Sequence, residues 1–185
     1  MRTLASVLLL PGLYNSGPDH WQSLWEIKHS EYQRVQQRDW ETPRCADWVQ
    51  TLHHSIYSRG NGSIVLAGHS LACATIAHYA AMHGDCEGRV AAAFLVAPSD
   101  VEAPSYPPGS TGFNPMPLRQ LPFRSVLVAS TDDPYLSPER AEFFARAWGS
   151  RFFKIADAGH INAASGYGPW PEGEAWLEQL RQSGT

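Results

Sequence analysis

The sequence predicts an α/β fold: a three-layer sandwich of about six mostly parallel strands with helices on both faces and no large cap domain. Three observations predict it. Short apolar runs alternate with helical patterns along the whole length, the signature of a parallel sheet with covered faces. Several runs are apolar at both alternating positions, as strands buried on two faces must be. The length of 185 residues, with 43% hydrophobic and 17% charged residues, suits one well-buried core, so a single domain over residues 1–185 is expected.

The first run, Ser6–Leu10, stops at Pro11-Gly12. It is too short for a secretory leader and lacks a small-x-small cleavage site, so it reads as a first core strand. A helix from Pro18 to about His29 carries Trp21, Leu24 and Trp25 at i, i+3 and i+4. Tyr32–Val35 is the most polar run and belongs near a sheet edge. Thr42-Pro43 offers an N-cap and an N1 proline to a helix burying Trp48, Val49, Leu52 and Ile56. Ser63–Ala67 is the next strand, and the helix from Leu71 to about His83 ends at Gly84, a suitable C′ residue. Val90–Ala97 and Ser125–Ser130 are two further strands. Between them, Pro98 to Pro122 shows no helical period and holds half of the 14 prolines. A loop of this length is either functional, here as a rim bearing Tyr106, Phe113 and Met116, or a surface crossover. Ser137-Pro138 caps a helix carrying Phe143, Phe144 and Trp148 and ending at Gly149; Arg151–Ile155 is the last strand; Glu172 to about Gln182 is the last helix, with Trp176, Leu177 and Leu180.

Composition excludes several classes of function. A net charge of −4, a pI near 6.0 and the lack of any basic run leave no footprint for nucleic acid or an anionic membrane. No segment reaches the 18 apolar residues of a membrane span. Cys45, Cys73 and Cys86 form no C-x-x-C and no repeated spacing, which argues for reduced thiols rather than a disulfide framework or zinc site. His53, His54, His78 and His83 lack H-x-x-x-H or H-E-x-x-H spacing and read as solvent-facing, so no metal is expected. Gly60-Asn-Gly62 precedes a strand, which makes it a turn and not a dinucleotide loop. The expectation is a cytoplasmic protein that uses no cofactor and acts on a small molecule, with no nucleic-acid or membrane partner and any protein partner left open.

The chemistry concentrates at Gly68-His69-Ser70-Leu71-Ala72. This is the G-x-S-x-G elbow with alanine at its last position, set between an apolar strand and an apolar helix, where small flanking residues let the chain turn sharply and expose Ser70 Oγ. A serine hydroxyl is a poor nucleophile near neutral pH and needs a base and a group that orients the base. Both follow in the order Ser, Asp, His. Ser125–Tyr135 is a strand running into Asp132 and Asp133, and Arg151–His160 is a strand followed by a loop ending in His160. All three candidates leave the carboxyl ends of strands, where parallel sheets place their sites.

Leu10-Pro-Gly12 with Asn15-Ser-Gly-Pro-Asp-His-Trp21, Gly68–Ala72, Ser130-Thr-Asp-Asp-Pro-Tyr135 and Ala158-Gly-His160 together resemble the α/β-hydrolase family, specifically the small, nearly capless serine hydrolases of the YdeN and retinoblastoma-binding-protein type. The resemblance spans almost the whole chain. It implies hydrolysis of small carboxyl esters or related acyl compounds through an acyl-enzyme, and it fixes no substrate. It makes Ser70 the nucleophile and His160 the base. It selects Asp133 over Asp132 as the orienting acid, because the pattern sets the acid directly before proline, and leaves Asp132 to hold the turn. The oxyanion donors it implies are the backbone N–H groups of Leu13 and Leu71, with Gly12 allowing the first loop a close approach.

Asn15, His20 and Tyr135 are candidate substrate contacts, since they adjoin the first loop and the acid. His69 reads as structural, its side chain directed beside the first loop, and Cys73 as a small core residue. Two other functions share these motifs: an interaction module that keeps the fold without catalysis, and an acyl transferase using the same triad.

Overall fold

Among the described residues, six strands lie in one sheet in the order β2-β1-β3-β4-β5-β6, every adjacent pair parallel. The strands are β1 (Ser6–Leu10), β2 (Tyr32–Arg34), β3 (Ile64–His69), β4 (Val90–Val96), β5 (Arg124–Ser130) and β6 (Arg151–Ile155). Among the described residues, five α-helices connect or follow them: α1 (Trp21–Lys28), α2 (Cys45–Tyr57), α3 (Leu71–His83), α4 (Pro138–Trp148) and α5 (Pro171–Gln182). The structure is a computed structural model and describes residues 4–85 and 87–182, so Cys86 lies outside the described residues.

Alternation along the strands builds two cores. Leu8, Leu10, Leu66 and Leu95 face one side and pack with Trp48, Leu52, Ile76, Phe144 and Trp148 of α2, α3 and α4. Val7, Leu9, Val65, Ala67, Phe94 and Val96 face the other and pack with Trp21, Trp25, Leu177 and Leu180 of α1 and α5. Strand β3 is buried at every position. This explains its continuous apolar run, because a strand covered on both faces has no solvent side to mark. β2 has three residues and sits at one edge, and the half-buried β6 forms the other.

Three helix ends follow their sequence signals. Ser137 caps α4 by accepting a hydrogen bond from Arg140 N–H, with Pro138 in the first turn, and Gly149 closes it at φ 68°. Gly84 follows α3 at φ 63°. Two starts differ from expectation. α1 begins at Trp21 with His20 as its N-cap, not at Pro18. α2 begins at Cys45 with Arg44 at the N-cap, not at Thr42-Pro43. The Asp39 carboxylate takes the Thr42 N–H and hydroxyl at 2.9 and 2.6 Å, and the backbone from Pro43 to Cys45 pairs with Thr111. Thr42 therefore closes an aspartate turn, and Arg44, paired with Thr111, is held extended at φ −105° and ψ 128°, so the helix starts only after it.

Residues 98–122 form no helix or strand. Phe113, Met116 and Leu121 enter the core, while Ser99, Tyr106 and Pro107 turn to a cavity at the carboxyl edge of the sheet. The segment is both a crossover and a rim. Among the described residues, no helix is long and apolar enough to cross a membrane.

Candidate active site

The chain reverses its winding direction at β1, which has β2 on one side and β3 on the other. The crevice outside such a switch point is where parallel sheets bind ligands. Here it is formed by the loop after β1 and by Ser70 at the end of β3.

Ser70 is the residue between β3 and α3, with φ 58° and ψ −124°. A non-glycine residue holds such a conformation only when its surroundings impose it. Neighbouring residues supply the imposition. A Cβ on Gly68 would lie 2.7 Å from Ile76 Cδ1, and one on Gly12 would lie 2.7 Å from Ser70 Cβ and 2.9 Å from the His69 carbonyl. Gly12 marks a place where backbone passes another chain segment too closely for any side chain, whereas at Gly68 the tip of Ile76 occupies the space. Leu71 opens α3, so its N–H has no acceptor within the helix, and the positive end of the helix dipole lies at the same point. Leu13, next to Gly12, lines the cavity above Ser70.

Three side chains form a hydrogen-bonded chain. Ser70 Oγ is 2.9 Å from His160 Nε2, and His160 Nδ1 is 3.0 and 2.9 Å from the two Asp133 carboxylate oxygens. Asp133 Oδ1 also accepts the Tyr135 N–H at 2.9 Å. Asp132 does different work. Its Oδ1 accepts the Ser130 hydroxyl at 2.6 Å and the Gly159 N–H at 2.7 Å, tying the turn after β5 to the loop that carries His160. These bonds hold the Asp132 carboxyl below its ordinary pKa, the Ser130 hydroxyl being the largest cause.

Two further histidines pack behind the first. His69 Nε2 donates to the His160 carbonyl at 2.9 Å, and its ring stands 4.7 Å from His20 and 4.8 Å from His160. It thus lies beside the start of α1, and it also fixes the backbone of His160. Burial, with the neighbouring His160 and His20, keeps His69 well below the ordinary histidine pKa. His20 is lowered to about 3, mainly by burial and then by Arg34 and His160. Its Nδ1 accepts the Gln22 N–H at 3.2 Å, so the neutral ring carries its proton on Nε2. That atom is buried with no partner among the described residues.

Asn15 is fixed by its oxygen, which accepts Arg34 Nη1 at 2.7 Å and Ser16 N–H at 2.8 Å. Its amide nitrogen is what remains to offer the cavity it lines. Tyr135 is 41% exposed and sets its ring 4.7 Å from that of His160, edge to face. The cavity has a volume of about 200 Å³. Its wall contains Leu13, Asn15, His20 and Tyr135, and among the residues that sequence reasoning did not single out are Ser99 and Asn162. Only the position of Ser99, just past the end of a central strand, could have marked it.

Among the described residues, the other histidines and the thiols of Cys45 and Cys73 do not line this cavity. His53 and His83 stack on each other at 4.3 Å, and His78 bonds the Phe113 carbonyl at 2.8 Å, so these side chains have packing partners rather than open solvent around them. Cys45 and Cys73 are buried free thiols, Cys45 pushed up to about 12 and Cys73 raised further by burial.

A family model described as "Serine hydrolase" matches residues 7–179. A YdeN-like hydrolase of Pectobacterium atrosepticum is 30% identical, with a TM-score of 0.84 over 97% of this chain and 91% of that one. The YdeN gene product of B. subtilis is 15% identical at a TM-score of 0.70, covering 95% of this chain and 98% of its own. A thermophilic esterase from Thermogutta terrifontis is 20% identical at 0.72, covering 99% and 92%. The last two likenesses concern the fold. No curated protein matches the sequence significantly.

Proposed function

Because the chain belongs to the serine hydrolase family, we propose that Ser70, His160 and Asp133 are its catalytic triad, that it cleaves small carboxyl esters or related acyl compounds through an acyl-enzyme, and that one domain over residues 1–185 carries this chemistry. The observation that supports this best is the hydrogen-bonded chain from Ser70 Oγ through His160 to the Asp133 carboxylate, at 2.9, 3.0 and 2.9 Å. Such geometry supports reading Ser70 as a nucleophile with its base already oriented. A protein kept only for binding partners has no need of it.

In this reading Ser70 Oγ adds to the acyl carbon while its proton passes to His160 Nε2. The oxyanion forms between the N–H groups of Leu13 and Leu71, where the α3 dipole adds to their effect. The bond to the leaving group breaks as that group takes the proton from Nε2. Water then gives a proton to Nε2 and adds to the acyl carbon. The Oγ–carbon bond breaks, the acid departs and the proton returns to Oγ. Asp133 keeps the imidazole in the tautomer with the proton on Nδ1 and stabilises it when charged. A cavity near 200 Å³ is below the usual range for drug-sized ligands, which favours a short acyl group. Asn15 and His20 would offer N–H donors to an oxygen on that substrate, and Tyr135 would shield the imidazole.

The test is a fluorophosphonate probe together with p-nitrophenyl acetate. The wild-type protein should be labelled once and turn over the ester, and Ser70→Ala should lose both properties. Labelling that survives Ser70→Ala would place the nucleophile elsewhere.

A further inference from the structure

We propose that Ser99 is a further catalytic residue of this site, one whose hydroxyl donates to Ser70 Oγ whenever Ser70 is free and so favours release of the acyl group from the enzyme. The inference rests on the reading of Ser70 as the nucleophile. It starts from a contact which that reading does not use: Ser99 Oγ is 2.8 Å from Ser70 Oγ, with the two residues 4% and 8% exposed.

The direction of the bond follows from counting protons. Asp133 presents only acceptors to His160 Nδ1, so Nδ1 carries the proton of the neutral ring and Nε2 presents a lone pair. Ser70 has one hydroxyl proton and must give it to Nε2. Were Ser70 to donate to Ser99 instead, two lone pairs would face each other across the 2.9 Å between Oγ and Nε2. Ser99 is therefore the donor and Ser70 Oγ the acceptor.

Ser99 is held for this task from both sides. It follows Ala97, whose backbone takes φ 46° and whose N–H bonds the Val128 carbonyl at 2.8 Å, and Pro98. On the other side the Asp100 N–H bonds the Tyr135 carbonyl at 3.0 Å, and the Asp100 carboxylate is clamped by Arg140 at 2.7 and 3.1 Å. The hydroxyl thus projects from a segment tied to the strand core, to α4 and to the turn carrying Asp133.

The consequence for the reaction lies in what Oγ becomes. An alcohol oxygen accepts a hydrogen bond well. The same oxygen in an acyl-enzyme is an ester alkoxy oxygen whose lone pair is delocalised into the carbonyl, and it accepts poorly. As the carbon–Oγ bond breaks in the second half-reaction, negative charge returns to Oγ and the bond from Ser99 strengthens. Ser99 keeps its own proton throughout, and the proton that Oγ regains comes from His160 Nε2. The donor stabilises free Ser70 relative to acylated Ser70, and its chief effect is on deacylation.

The test is stopped-flow turnover of p-nitrophenyl acetate by the full chain, with intact-mass detection of acetylated enzyme. Ser99→Ala should keep its acylation burst and nearly unchanged kcat/KM, while kcat and KM fall together by tenfold or so, about the worth of one hydrogen bond to a developing charge, and acetyl-enzyme accumulates. Ser99→Thr, which retains the hydroxyl, should return kcat toward wild type. If Ser99→Ala lowers kcat and kcat/KM equally without accumulating acetyl-enzyme, or changes neither, the inference fails while the Ser70 reading stands. If Ser70→Ala itself keeps full turnover, the underlying reading fails instead.

Discussion

Asp132 and Asp133 are adjacent and chemically identical, yet their surroundings give them different work. Asp133 faces His160 Nδ1, whereas Asp132 receives the Ser130 hydroxyl and the Gly159 N–H. Asp133→Asn should lower kcat by about 10⁴, the usual cost of losing the tautomer-fixing acid, while Asp132→Asn should act only through the position of the His160 loop and cost far less. Steady-state kinetics of the two variants checks the order. Gly12→Ala is a second residue-scale test. Its added methyl would come within 2.7 Å of Ser70 Cβ, pushing the first loop outward, so kcat should drop by about 10² to 10³ as if one oxyanion donor were lost, with circular dichroism unchanged. The motif letters made Ser70, His160 and the two aspartates legible in the sequence. Ser99 was not, because a serine after a strand carries no motif and its meaning comes only from the 2.8 Å approach to Ser70.

At the scale of elements, the loop that leaves β4 is bound to α4 by the Arg140 guanidinium, which grips Asp100 and Glu102. Arg140→Met should lower stability by roughly 1–3 kcal/mol, the cost of leaving the largely buried Asp100 carboxylate without its partner, as read from urea unfolding. Arg140→Lys should recover only part of the loss, since an ammonium cannot make the two-pronged contact. Strands were the most readable elements. Residues 6–10 and 151–155 match in both, because apolar runs with turn residues at each end admit few alternatives. Helix starts were less so. Thr42-Pro43 has the form of an N-cap, but Asp39 lies three residues earlier and takes the threonine first. Pairing of Pro43 and Cys45 with Thr111, nearly seventy residues further on, then keeps the backbone extended where the local signal begins a helix.

For the molecule as a whole, two buried histidines contribute to the response to acid, beside carboxyls such as Asp132 and Glu174 that are held below their ordinary values. His20 is lowered to about 3 and His69 lies well below the ordinary value of 6.5. Below about pH 6.5 the unfolded chain binds protons at these positions and the folded chain does not, so unfolding becomes easier as the pH falls from about 6.5 toward 3. Thermal melts across that window should show a falling midpoint, and His20→Gln should make the slope shallower. The backbone at the mouth of the cavity carries a different implication. Tyr14, Asn15, Ser70, Ala97 and Ile161 all take positive φ at the carboxyl edge of the sheet, a conformation that costs a residue with a side chain about 1–2 kcal/mol. Some of that tension is not needed by the reacting groups. Tyr14 is 65% exposed, so losing its side chain opens no void, and Tyr14→Gly should make the protein more heat-resistant while leaving Ser70 in place. The rim is therefore a reserve that evolution or an engineer could draw on, trading a residue's strain for a wider working temperature.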